Sequence, residues 1–193
     1  MSFTVPANFI DVFKIGDNIN YNLRILSFLY QHYGAATVLD RKYYIKPIVI
    51  LNTSIAEALL YDFIENRIRR ANPTELLFED ILAPLRLKKL DKFERYIAQA
   101  QKYDFFAAKD TNFYEAMHSL RKKRNRVHIQ NSKHDEPHDE LFVFKDTTKI
   151  LSEKVLEKIL NTLSVRYPRR LEYRGFVSDF ELPWDRHFNA PVA

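Results

Sequence analysis

KPIVILNTSIAEALLYDFIENRIRR, residues 46–70, is the stretch whose reading decides the fold. Ile48, Leu51, Ile55, Leu59, Leu60, Phe63, Ile64 and Ile68 recur at steps compatible with 3.6 residues per turn, so they share one wide helical face. Pro47 falls in what this pattern sets as the first turn, where its missing N–H is harmless. Arg67, Arg69 and Arg70 close the stretch, cations suited to the negative end of a helix dipole. So broad an apolar face needs other helices to cover it, which predicts an all-α helical bundle. Glu57 interrupts that face. It either turns to solvent or meets an arginine from a neighbouring helix, with Arg121 and Arg124 as the candidates.

Working outward, Ile19, Leu23, Leu26, Leu29 and Tyr30 predict a helix over about 18–33, with Gly34 as its stop. Residues 1–17 read as an irregular lead, broken at Pro6 and Gly16 and anchored by Phe9, Ile10, Val12 and Phe13. Asn72-Pro-Thr-Glu75 and Asp91-Lys-Phe-Glu94 are helix-start signatures. The first opens a short helix to Leu82. The second opens one carrying Phe93, Ile97, Ala100 and Tyr103, with Phe105 and Phe106 docking its end. Leu141–Phe144 reads as a short extended piece, and Ser152 begins a last helix to about Val165. Only 3 glycines occur in 193 residues, which favours long helices over a strand-rich barrel.

The chemistry concentrates at Ser119-Leu-Arg-Lys-Lys-Arg-Asn-Arg-Val-His-Ile-Gln130. Phe113, Met117, Leu120 and Val127 give this segment an amphipathic stripe, with Asp110 or Thr111 as its cap. On a continuous helix, His128 shares a strip with Arg121 and Arg124, and Asn125 borders it. Arginine offers a planar fork of donors that matches a phosphate, and histidine exchanges protons near neutral pH. Such a set suits metal-free RNA cleavage by the 2′-hydroxyl. The plainer reading is a solvated basic face with a histidine at a helix end.

Composition excludes several classes. With 0 cysteines, the chain has no disulfide framework, thiolate metal site or cysteine nucleophile. The first eight residues lack the pattern of a signal peptide, and no uninterrupted apolar run reaches membrane-span length, so a cytoplasmic protein without a membrane partner is expected. The net charge of +5 is modest, and the cluster at 121–126 says more than the total. His134, Asp135, Glu136, His138, Asp139 and Glu140 are metal-compatible side chains in a polar loop. Nothing in their spacing sets a ligand geometry, so neither metal nor cofactor is assigned. Residues 168–193 mix Arg169, Arg170, Tyr173, Phe176, Phe180, Trp184 and Phe188 without a period. That segment reads as a C-terminal tail packing on domain 1–167 or on a partner subunit, although aromatic residues among cations also suit nucleic acid.

At the motif segment the chain resembles the HEPN superfamily, helical-bundle proteins of prokaryotic toxin–antitoxin, abortive-infection and CRISPR systems. The shared signature is an arginine, usually followed by a polar residue, with four to six residues between it and a histidine. Here Arg121 and His128 enclose six residues, while Arg124-Asn125 supplies the arginine–polar pair with three residues before His128. The signature is thus split between two arginines. Ile55-Ala-Glu-Ala-Leu-Leu-Tyr61 followed by the motif helix extends the likeness to roughly residues 18–165, at the level of architecture. The resemblance implies a metal-independent endoribonuclease that acts as a homodimer with the motif helices facing across the interface. His128 would then be general acid or base, Arg121 and Arg124 would hold the scissile phosphate, and Asn125 would orient either. Lys122, Lys123 and Arg126 would contact RNA, and Glu57 would support an arginine.

Two other readings stand beside this one. Many members of that superfamily are non-catalytic modules that bind RNA or a protein. A scaffolding dimer whose basic strip meets an acidic partner, such as an antitoxin or another regulatory protein, uses the same residues.

Overall fold

The computed structural model describes residues 2–70, 85, 90–109, 111–128 and 139–189. The expected helix over 72–82, Asp110, and the histidines at 134 and 138 lie outside them. The fold is mostly helical, as the apolar periodicity requires. In chain order come β1 (Phe3–Val5), α1 (Phe13–Ala35), α2 (Lys42–Tyr61, continuing as a π turn over Asp62–Ile68), α3 (Phe93–Lys102) and α4 (Phe113–Arg124). A 3-10 turn (Asn125–Val127), α5 (Glu140–Val143), α6 (Asp146–Arg166), a second 3-10 turn (Leu171–Tyr173) and β2 (Phe180–Leu182) follow.

The central element is α2. It packs chiefly against α6 and α1, and its remaining flank meets α3 and α4. Ile48, Ile55, Leu59, Leu60, Phe63, Ile64 and Ile68 are buried there, facing Leu156, Ile159, Leu160 and Leu163 of α6. By length and composition Lys42–Ile68 could cross a membrane, contrary to the expectation from uninterrupted apolar runs, but it is mostly buried inside the bundle.

Several boundaries differ from expectation. Thr37–Arg41 forms a turn that feeds α2 four residues early, leaving Pro47 in the helix interior instead of its first turn. The first helix begins at Phe13, so Gly16 does not break it. Gly16 serves close packing: a Cβ there would lie 2.6 Å from Val177 Cγ1. Leu141–Val143 is helical, not extended, because Asp139 caps it by accepting the Leu141 N–H at 2.8 Å.

The lead and the tail are not irregular throughout. Antiparallel β1 and β2 pair Phe3 with Leu182, Thr4 with Glu181 and Val5 with Phe180. Beyond β2, buried Trp184 meets the Tyr30 ring, and the His187 and Phe188 N–H groups donate to Glu157 at 3.0 and 3.2 Å. His187 Nε2 lies 2.8 Å from Glu153, which also receives Tyr30 OH and Lys149 Nζ. Two buried carboxylates one turn apart on α6 therefore anchor the tail to its own domain.

Candidate functional site

The motif helix α4 starts one residue later than the expected cap: Asn112 holds the N-cap position without a side-chain cap hydrogen bond, and Thr111 Oγ1, just before it, accepts the Phe113 N–H at 3.3 Å. Met117 and Leu120 are buried as the stripe requires. Tyr114 fastens α4 to the end of α3. Its hydroxyl lies 3.0 Å from both Ala100 O and Asp104 Oδ1, and burial pushes its pKa up. Helix α4 thus runs along α3 and α2 with its four terminal cations, Arg121 to Arg124, in the last turn.

Each arginine of the motif meets a carboxylate from a different helix. Arg124 pairs with Glu57 of α2 at 2.7 Å, one of the two partners foreseen for that carboxylate. Arg121 pairs with Glu94 of α3 at 3.2 Å. Both Nε atoms are buried without a hydrogen-bond acceptor, so each guanidinium is held by its terminal nitrogens. Glu94 is 58% exposed, which leaves its carboxylate open to displacement by another anion.

Past Arg124 the α-helix stops. Asn125–Val127 tightens into a 3-10 turn in which the His128 N–H donates to Asn125 O at 3.4 Å, and His128 itself is extended. A 3-10 turn rotates about 20° more per residue than an α-helix, so His128 leaves the shared strip by about 60° over three residues. Its side chain is exposed. Val127, expected on the apolar stripe, is 53% exposed, and Arg126 is only 8% exposed. The turn therefore buries Arg126, whereas Lys122 is exposed and Lys123 is half-buried with its Nζ donating to Ser119 Oγ at 2.9 Å.

Sequence reasoning passed over two side chains here. Glu94 was read only as a helix-start residue, yet it holds Arg121. His118, one turn before Arg121, has its pKa lowered by burial and then by the Arg121 charge. Its three-residue spacing from Arg121 was a visible signal. Among the described residues, no three His, Asp or Glu side chains gather as a metal would need. Asp139 caps α5, and Glu140 takes Lys46 at 2.6 Å.

Fold and site together define an all-α protein with a carboxylate-braced basic helix end. Compared by sequence and by fold, the chain matches no family model, no curated protein and no solved structure.

Proposed function

We propose that this protein is a HEPN-like, metal-independent endoribonuclease, a cytoplasmic toxin or antiphage effector that cleaves RNA in a cleft between two copies. One observation carries the reading. A helix ending in four consecutive cations is followed, one 3-10 turn on, by exposed His128, with Arg121 and Arg124 braced by Glu94 and Glu57. Bracing supports phosphate recognition, because a guanidinium oriented in advance loses less entropy when it takes a second anion.

In the proposed step, neutral His128 accepts the 2′-hydroxyl proton while the 2′-oxygen attacks the adjacent phosphorus. The P–O5′ bond breaks, and the departing 5′-oxygen takes a proton from the protonated His128 of a second copy. Products are a 2′,3′-cyclic phosphate and a 5′-hydroxyl. Arg121 and Arg124 stabilise the charge on the phosphoryl oxygens, and Asn125 holds the turn that carries His128.

A second reading is favoured by the ion pairs themselves. With Glu57 and Glu94 partly neutralising the arginines, a non-catalytic HEPN-like module that binds RNA or a protein is consistent with the same geometry. The test is cleavage of 5′-labelled RNA in EDTA by wild type and His128→Ala. A loss of at least roughly 100-fold in the variant, the low end for a general acid–base group, with cyclic-phosphate products from wild type, is expected. Intact RNA with both proteins, alongside salt-sensitive binding that needs Arg121 and Arg124, rejects catalysis in favour of the binding module.

A further inference from the structure

Between α1 and α2 lies a groove of about 220 Å³, lined by residues that include Ile15, Asn18, Asn22, Ser54, Ala58 and Tyr61. Its size falls below the roughly 300 Å³ at which pockets for drug-sized ligands begin, so it suits a single ring system. The chemistry is mixed in a particular way: aliphatic walls, two amides, a hydroxyl and a phenol. Asn22 Nδ2 donates to the Asn18 carbonyl at 2.8 Å, which orients that amide and leaves Asn22 Oδ1 as an acceptor. Tyr61, 42% exposed, stands at the rim with its ring edge-on to Tyr96 of α3, centroids 6.0 Å apart.

The groove and the arginines are linked through one helix. On α2, Glu57 lies about 40° round from Tyr61 and about 60° from Ser54, so the residue that holds Arg124 flanks the groove on the α4 side. A ligand seated here meets aliphatic walls and hydrogen-bonding groups, with the Glu57–Arg124 pair on the flank of α2 that faces α4. A second cleft, about 360 Å³, is lined among the described residues by Asp17, Asp179 and Glu181 against the one cation Arg24, a net negative balance that disfavours a phosphate.

We propose that the α1–α2 groove is a nucleobase subsite, taking the base of the nucleotide whose phosphate engages Arg124. The inference rests on the ribonuclease reading for its context and adds base selectivity to it. Tyr61 supplies a stacking surface, and Asn18, Asn22 and Ser54 read the base edge.

The test is calorimetric titration of the full chain with each of the four ribonucleoside 5′-monophosphates and with ribose 5-phosphate. At least one nucleotide should bind roughly tenfold more tightly than ribose 5-phosphate, the scale of a single base–aromatic contact. Ala58→Leu and, separately, Ser54→Leu fill the groove and should remove that advantage while leaving the ribose 5-phosphate affinity in place. Equal binding of nucleotides and ribose 5-phosphate by wild type overturns the subsite, as does an advantage that survives both substitutions. The EDTA cleavage assay run in parallel separates the two ideas. Cleavage with base-indifferent binding removes the subsite alone. Base-selective binding that Ala58→Leu abolishes, in a protein that leaves RNA intact, removes the nuclease and keeps the groove as a nucleotide site.

Discussion

At the scale of single residues, the two motif arginines differ by which helix they face. Arg121 and Arg124 stand about 60° apart around α4, so Arg124 reaches Glu57 on α2 while Arg121 reaches Glu94 on α3. Both members of the Arg124–Glu57 pair are partly solvated, which limits what their attraction contributes to stability. A double-mutant cycle with Arg124→Ala and Glu57→Gln, read by urea unfolding, should give a coupling of about 0.5–1 kcal/mol that shrinks with added salt. A coupling of zero at low salt would remove the bracing argument. In the sequence, a carboxylate interrupting an apolar face left open whether it turns to solvent or meets an arginine. Which arginine it meets depends on the rotation of α4 against α2, a quantity that spacing along either helix does not contain. The position of His128 shows the same limit, since helical spacing alone put it on the arginine strip and a single 3-10 turn moves it off.

At the scale of elements, the π turn that ends α2 is built around Asp62, which is 1% exposed. Its carboxylate accepts the Asp11 and Val12 N–H groups at 2.8 and 3.2 Å, and Asn66 Nδ2 at 3.0 Å, so it caps the start of α1 from another helix. Burial raises the pKa of Asp62 above 3.8 despite those hydrogen bonds, and burial likewise raises that of neighbouring Asp11. A raised carboxyl pKa means that the folded state binds the proton more tightly than the unfolded state does. These groups therefore favour folding less as pH climbs from about 3.8 through their folded-state values. Asp62→Asn should accordingly gain stability relative to wild type as pH rises from about 4 to about 6, measured as the difference in urea midpoint. A difference that stays flat or moves the other way contradicts the shift. The apolar period in residues 46–70 established that α2 exists and which face it buries. It could not place the π turn, because the apolar period carries no record of Asp62 meeting the Asp11 and Val12 N–H groups some fifty residues away.

At the scale of the whole molecule, the two ends of the chain close over the bundle together. Phe180, Leu182 and Trp184 are buried on contacts with the lead and α1, and Glu153 and Glu157 hold the segment that follows. Truncation before Phe180 deletes three large buried side chains, whose burial contributes about 1.5–3 kcal/mol each, a loss on the order of 5 kcal/mol that rivals the total stability of many domains. Thermal unfolding of the truncated chain should lose its cooperative transition or move far below that of the full chain. An unchanged transition would show that the tail is an accessory. By itself the sequence determined the all-α class, the buried face of α2, the amphipathic body of α4 and the cluster of cations at its end. Each is local: a period of 3.6 and a run of charge are legible within some twenty residues. Only the tertiary structure decided the β1–β2 pairing, the carboxylate partner of each arginine, the burial of Arg126 and the groove beside Tyr61. Those depend on contacts between segments far apart in the chain, where three-residue strands and single carboxylates have no periodic signature, and only the packed orientation of the helices selects among possible partners.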